Sequence, residues 1–281
     1  MPRKLSSAEV ASYERDGFLS PVVALTGEEA AKYRGKLEAF ERGVGGPLTS
    51  DATDPRYRSR THVLLAWVYG LARRPAILDA VEDLIGPDIL VYTSTWFIKE
   101  PETAAIAAWH QDATYFGLRP YAHVTAWLAL TDATATNGCM EFLPGSHAGG
   151  QRPHRAGVVA DSVNRAGQAI VGEVDDAPAV HAPLRPGEFS LHHTLCLHRS
   201  QPNRSPGRRI GLAISYIPTH VRHLGAHRPP AMLVRGVDAF GHFDLEPAPA
   251  ADLDEAARAA YARSYDGYRT AYAEQVGREG R

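Results

Sequence analysis

A histidine and an aspartate lie two positions apart in the segment AAWHQDATYFG, which runs from Ala107 to Gly117. Residues i and i+2 of a β-strand point to the same face, so His110 and Asp112 are expected to direct an imidazole and a carboxylate to one point. A buried polar pair in a turn is the simpler explanation of two such groups. The sequence offers a third donor in His198, which follows an apolar run in LCLHRSQPN and is distant enough to come from another strand.

Two imidazoles and one carboxylate are the ligand set of non-haem Fe(II) oxygenases, which leave three positions on the metal open. Fe(II) keeps a net positive charge in this set, which favours an anionic chelating co-substrate such as 2-oxoglutarate, with O₂ at the remaining position. The far carboxylate of 2-oxoglutarate needs a cation, and GRRIGLAIS supplies Arg208 and Arg209 at the start of a predicted strand. His192 and His193 are rival metal ligands, and strand parity does not exclude His192, which shares a face with His198.

Length and composition are those of an ordinary globular protein. The chain has 281 residues, of which 44% are hydrophobic and 22% charged, and its formal net charge is −2. This balance gives no electrostatic reason to expect binding to nucleic acid or to an anionic membrane. No apolar run approaches the roughly 18 residues that span a bilayer, and the basic start MPRKLSS lacks the apolar segment of a signal peptide. The only two cysteines, Cys139 and Cys196, cannot form a disulfide framework, so the cytoplasm is the predicted location.

The order of the predicted elements indicates one domain over residues 1–281, with a β core between helical ends. Residues 1–87 are predicted to be a helical N-terminal part. β-Branched and aromatic segments such as DILVYTSTWFIK predict a β core over about 88–220. Residues 221–281 are predicted to form a C-terminal extension and a helix. The polar segment from Gln151 to Pro186 predicts a long functional loop or lid.

Local signals place several helices. Ser6 with Glu9 and Thr26 with Glu29 form capping boxes, which are typical of helix starts. The C-terminal helix carries a stripe of tyrosines at i+3 and i+4 spacing, interpreted as its packing face: Tyr261, Tyr265, Tyr268 and Tyr272.

Four segments, WHQDATYFG, NGCMEFLPGSH, LHRSQPN and GRRIGLAISY, resemble the phytanoyl-CoA dioxygenase family of Fe(II)/2-oxoglutarate-dependent oxygenases, and they occur in the family's order. The likeness runs from about Asp16 to the C-terminal helix. It implies a mainly β fold with flanking helices around a double-stranded β-helix, the jelly-roll or cupin-like core. It also implies that His110, Asp112 and His198 bind iron.

The resemblance further implies which residues contact 2-oxoglutarate. Arg209 stands eleven residues after His198, as the co-substrate arginine of the family stands after its second histidine ligand. Arg208 takes this role if the match to the family's motif is shifted by one residue. The resemblance implies contacts from four more residues, the last two as weaker matches: Ser200, Trp127, Thr95 and Tyr92.

The activity that the resemblance implies is that of a dioxygenase, which uses Fe(II), 2-oxoglutarate and O₂ to hydroxylate an unactivated C–H bond of a small molecule. Secondary-metabolite intermediates of bacteria, amino acids and phosphonates are its candidate substrates. Desaturation, epimerisation and cyclisation use the same residues and stay open, whereas the complete triad and the arginine disfavour a non-catalytic metal-binding or ligand-binding barrel. Halogenation is disfavoured because halogenating relatives lack the carboxylate that Asp112 provides. The sequence leaves the oligomeric state open between a monomer and a homodimer.

Overall fold

The computed structural model describes residues 3–155, 162 and 169–279. Six α-helices occur within these residues: α1 (Ser7–Asp16), α2 (Gly27–Gly43), α3 (Ala66–Ala72), α4 (Pro75–Ile85), α5 (Ala113–Phe116) and α6 (Glu255–Glu279). The strands of the described residues are β1 (Phe18–Val23), β2 (Ile89–Lys99), β3 (Ala107–His110), β4 (Leu118–Arg119), β5 (Val124–Ala129), β6 (Met140–Phe142), β7 (His154–Arg155), β8 (Ala169–Ile170), β9 (Val180–Ala182), β10 (Glu188–His193), β11 (His198–Ser200), β12 (Arg209–Pro218), β13 (Arg222–His223), β14 (Pro230–Arg235) and β15 (Asp244–Leu245). Short 3₁₀ helices cover Pro55–Arg58, Ala135–Asn137 and Ser146–Gly149.

Two sheets form the core. The larger sheet has seven strands in the order β1-β10-β5-β12-β2-β14-β15, and the smaller has four in the order β3-β11-β6-β9. Only the β14–β15 pair of these sheets is parallel. Residues of both sheets line one cavity, so the sheets face each other across it. The predicted fold class, a mainly β jelly-roll core with flanking helices, is confirmed.

The larger sheet separates the cavity from a helical layer because its side chains alternate between two faces. On β2, Trp96 and Ile98 join the main hydrophobic cluster, which also includes Ile77 and Val81 of α4. Their neighbours Thr95 and Phe97 line the cavity. The sheet is therefore supported by apolar packing on one side and carries the candidate site on the other.

The N-terminal part contains the two predicted helix starts and one strand that the sequence analysis placed in a helical region. Ser6 and Thr26 are N-caps with complete capping boxes. Between the two helices, β1 pairs antiparallel with β10. Pro21 interrupts this short strand, and a proline is tolerated there because β1 lies at the sheet edge. At the other end, β14 extends the larger sheet beyond residue 220.

The C-terminal helix α6 is fixed to the barrel by a buried ion pair. Arg60 pairs with Glu246 at 2.7 Å, and its Nε donates to Oγ of Ser264 on α6 at 2.6 Å. The Arg60 guanidinium also lies 5.3 Å from the ring centroid of Tyr268. A buried charge that loses its partner is strongly destabilising, so this cluster holds α6 against the cavity.

The predicted loop from Gln151 to Pro186 is described in part. It contains β7, β8 and β9, of which β9 pairs with β6 at the edge of the smaller sheet. Residues 156–161 and 163–168 lie outside the described residues, and so does that part of the predicted lid. Within the described chain, no helix has the length and apolar character needed to cross a membrane.

Candidate active site

The two histidines of the predicted triad lie opposite each other on adjacent strands of the smaller sheet. His110 ends β3 and His198 begins β11, and the two residues are direct partners in the antiparallel register. Their Nε2 atoms lie 3.9 Å and 3.7 Å from Oδ1 of Asp112. One ligand atom from each of the three residues lies within 4.8 Å of the other two. This is the only group of three potential metal ligands of this kind among the residues that the structure describes.

The local structure of Asp112 differs from the prediction. The strand ends at His110, and Asp112 has φ −60° and ψ −34°, at the start of the short helix α5. The two side chains converge through this turn rather than through the alternation of an extended strand. The expectation that one strand carries both residues was therefore wrong. The two side chains nevertheless point to one place, as predicted.

Both histidines present a neutral Nε2 to the carboxylate. Nδ1 of His110 lies 2.7 Å from the carbonyl oxygen of Ala108, and Nδ1 of His198 lies 2.9 Å from that of Cys196. A carbonyl only accepts, so each Nδ1 carries the proton and each Nε2 has a lone pair for a metal. Burial lowers the pKa of His110 and that of His198, which keeps both imidazoles neutral.

The second oxygen of the Asp112 carboxylate is held from the opposite side. Oδ2 accepts a hydrogen bond from Oγ1 of Thr125 at 2.7 Å and lies 3.2 Å from Nε2 of His192. Burial raises the pKa of Asp112, but the hydrogen bond from His192 and the neighbouring histidines outweigh it and hold that pKa well below its usual range. His192 thus contacts the oxygen that faces away from His110 and His198, which favours a supporting role over that of a rival ligand.

The two candidate arginines differ sharply in their surroundings. Arg209 begins β12, is 2% exposed and lines the cavity. Its Nε has no hydrogen-bond partner among the described residues. Burial lowers the pKa of Arg209 to about 10, so the guanidinium still carries its charge at neutral pH. Arg208 points elsewhere, where it forms two 2.8 Å hydrogen bonds with the carboxylate of Glu41 and one of 3.0 Å with Glu100.

The other predicted co-substrate contacts separate into two groups. Trp127, Ser200 and Thr95 line the same cavity as Arg209, and the Arg209 guanidinium carbon lies 5.1 Å from the Trp127 ring centroid. Tyr92 is corrected: it does not line the cavity, because Phe116 and Tyr268, which do line it, pack against its ring. Its ring packs instead in an aromatic cluster, 5.3 Å from that of Phe116.

The cavity, about 260 Å³ in volume, has a wall that the sequence analysis missed. Tyr265, Tyr268, Arg269 and Tyr272 of α6 line it together with the triad. The sequence analysis interpreted the tyrosine stripe as a packing face, which is correct for the buried Tyr261. An arginine between the tyrosines was the available signal, but the position of α6 depends on tertiary contacts.

The donor set fits a divalent metal of the iron type. Two neutral imidazole nitrogens and one ionised carboxylate oxygen converge, and the cavity beside them leaves room for further ligands. The guanidinium of Arg209 lies in the same cavity with no carboxylate partner on the described part of the chain, which suits the carboxylate of an anionic co-substrate.

Known proteins share this fold and parts of this sequence. A solved structure of a non-heme monooxygenase, ThoJ in its apo form, is 35% identical, has a TM-score of 0.84, and is matched over 96% of this chain and 99% of that chain. A probable alpha-ketoglutarate-dependent hypophosphite dioxygenase of Stutzerimonas stutzeri is 27% identical over 219 residues, which are 73% of this chain and 76% of that protein.

Similarity to phytanoyl-CoA dioxygenases is more local. A probable phytanoyl-CoA dioxygenase of Caenorhabditis elegans is 29% identical over 156 residues, which are 53% of this chain and 50% of that protein. The chain spans about half the length of the curated relatives of this name that it matches. The model of the Phytanoyl-CoA dioxygenase (PhyH) family matches residues 13–211, more than half of the chain and a range that contains every predicted site residue. The chain therefore belongs to the phytanoyl-CoA dioxygenase family.

Proposed function

We propose that the protein is an Fe(II)- and 2-oxoglutarate-dependent oxygenase in which His110, Asp112 and His198 bind the metal. The observation that carries this proposal is the convergence of the three ligand atoms within 4.8 Å of one another, in a cavity that Arg209 also lines. A non-heme monooxygenase and an alpha-ketoglutarate-dependent dioxygenase among the similar proteins support it. When bound, the iron with 2-oxoglutarate and O₂ supplies an oxidant able to break a C–H bond.

The chain's own residues orient the co-substrate. Arg209 would bind the far carboxylate of 2-oxoglutarate with two parallel hydrogen bonds, because no group on the described cavity walls pairs with the Arg209 guanidinium. Ser200 adds a hydroxyl, and Nζ of Lys99 fixes that hydroxyl at 2.6 Å. Trp127 packs beside the guanidinium and, with other apolar side chains of the barrel, limits the access of water.

We further propose hydroxylation of a small molecule as the reaction. Thr125 and His192 keep the Asp112 carboxylate in place, so the metal retains a full set of protein ligands. Desaturation, epimerisation and cyclisation need no different protein ligands, and product analysis separates these outcomes. The cytoplasm is the proposed location, because both cysteines are buried free thiols.

The test is succinate formation in air from 2-oxoglutarate, with and without added Fe(II). We expect slow, iron-dependent succinate release by the wild-type protein, even without a substrate. His110→Ala should abolish it, whereas His220→Ala, which removes an exposed histidine outside the cavity, should leave it unchanged. Tight iron binding without succinate formation would instead identify a binding protein and end the proposal.

A further inference from the structure

The wall of the cavity that α6 contributes, Tyr265, Tyr268, Arg269 and Tyr272, is here called the α6 wall. These residues follow the i, i+3, i+4 and i+7 spacing that places side chains on one helical face. All four line the cavity that contains the candidate metal site. The established family membership does not account for them, because the family match ends at residue 211.

The α6 wall is connected to the metal site by stacked rings. Tyr272 stacks on Tyr115 with a centroid distance of 6.4 Å and an interplanar angle of 16°. Tyr115 in turn packs edge-on against the ring of His110 at 5.9 Å. A molecule that lies on these tyrosines is therefore adjacent to the candidate metal site.

The charge of Arg269 is uncompensated within the described chain. Its guanidinium carbon lies 5.3 Å from the ring centroid of Tyr272, and no carboxylate of the described residues pairs with it. Arg199 lines the same cavity but forms ion pairs of 2.8 Å with Glu141 and 2.7 Å with Asp176. The only acidic residue on the described cavity walls is Asp112, which faces the metal site.

An aromatic wall alone could bind a cation, because ring faces attract positive charge. Here Arg269 already lies over Tyr272 and would repel a second cation at that position. The combination of tyrosine faces with an uncompensated guanidinium selects a molecule that has an apolar body and a negative group.

We propose that the substrate is a small molecule with an apolar carbon skeleton and an oxyanion, a carboxylate or a phosphate, which Arg269 binds. The apolar body lies on the tyrosines of the α6 wall, and the end that reacts points towards the metal site. This inference rests on the proposed function, since it takes the cavity as the substrate site. Arg269 is then a residue that determines specificity rather than one that takes part in the chemistry.

The experiment measures binding rather than turnover. The full-length protein, loaded anaerobically with Fe(II) and 2-oxoglutarate, is titrated calorimetrically with cinnamate, with its neutral amide cinnamamide, and with phenyl phosphate. Each titration is repeated with the protein before loading. We expect an oxyanion to bind about tenfold more tightly than the amide, a modest ratio because Arg269 is exposed to solvent. The oxyanion that binds more tightly, cinnamate or phenyl phosphate, identifies carboxylate or phosphate as the preferred group.

Variants on α6 assign the preference to one side chain. Arg269→Gln should reduce the ratio of oxyanion to amide affinity to about one, and Arg269→Lys should keep part of it. Arg263→Gln is the matched control, because Arg263 is an exposed arginine of the same helix that does not line the cavity. Its ratio should equal that of the wild type.

The inference would be overturned by a wild-type protein that binds the amide as tightly as both oxyanions, or that binds no probe at about 10 mM. It would also be overturned if Arg269→Gln kept the wild-type ratio of oxyanion to amide affinity. The outcome is separable from that of the proposed function. Oxyanion binding that depends on Arg269, in a protein that never forms succinate, refutes the oxygenase proposal and leaves this site in place. Succinate formation without Arg269-dependent oxyanion binding refutes this inference and leaves the oxygenase proposal in place.

Discussion

Replacing Arg209 by methionine should stabilise the protein and abolish its response to 2-oxoglutarate. Among the described residues the buried guanidinium has no counter-ion, and burial lowers its pKa to about 10, so folding keeps a poorly hydrated charge at neutral pH. A pKa reduced to that extent corresponds to a cost of about 3 kcal/mol. Because the side chain lines a cavity and is not packed on every side, part of this cost is relieved, and we expect Arg209→Met to raise the free energy of unfolding by about 1–3 kcal/mol.

The same substitution removes the partner of the co-substrate carboxylate. Hydrogen bonds to charged groups contribute about 1.5–3 kcal/mol each, so the affinity for 2-oxoglutarate should fall by about 100-fold or more. A ligand at about 100 times its dissociation constant stabilises the wild-type protein by about 2.7 kcal/mol. This increment should vanish in Arg209→Met.

Arg208→Met is the matched control and should behave in the opposite way. It leaves the Glu41 carboxylate, which is 5% exposed, without its ion pair, and a buried charge without a partner costs about 3–5 kcal/mol. Urea unfolding under anaerobic conditions with Fe(II), with and without 2-oxoglutarate, measures both effects. An Arg209→Met protein that is less stable than the wild type and still responds to 2-oxoglutarate, or an Arg208→Met protein that loses that response, would contradict these assignments.

Further predictions concern the carboxylates and a thiol. Thr125→Val removes a 2.7 Å hydrogen bond to Asp112 and should weaken metal binding about 10–100-fold in a metal titration; Thr125→Ser should not, and equal affinity of all three proteins would contradict this role. Burial raises the pKa of Glu246, but Arg60 and His62 bring it down to about 2, below its ordinary value of 4.5. Its ion pair therefore contributes stability above pH 4.5 that is lost as the pH falls towards 2, and unfolding curves of Glu246→Gln should show a shallower loss than the wild type; identical slopes would refute this. Burial raises the pKa of Cys196 to about 12, so iodoacetamide should alkylate it only after unfolding, and modification of the native protein, read by mass spectrometry, would contradict its burial.

Residues whose role depends on local chemistry could be predicted from the sequence. The capping boxes at Ser6 and Thr26 need only side chains three residues apart, and both helices begin there. The donor types of the triad likewise indicated its chemistry, because two imidazoles and a carboxylate suit few purposes other than a metal. The choice of Arg209 rested on the family's spacing, and burial of this residue at the start of β12 agrees with it.

Features that depend on exact phase or on tertiary packing could not be predicted. Asp112 approaches the two histidines through a turn, because β3 ends at His110, two residues before a strand that carries both ligands would end. Tyr92 lies at an irregularity in the pairing of β2 with β12 and packs against Phe116 and Tyr268, and strand propensity predicts neither feature. The α6 wall depends on Arg60, which fixes the helix from a point about 200 residues away in sequence.

One metal ion bound by His110, Asp112 and His198 is proposed to keep open positions for a chelating co-substrate. This can be measured by anaerobic addition of Fe(II) and then 2-oxoglutarate, followed by visible absorption spectroscopy. We predict a weak charge-transfer band that saturates at one iron and one 2-oxoglutarate per chain and is missing in His198→Ala. A wild-type protein that shows no such band, or a His198→Ala variant that keeps it, would contradict the claim.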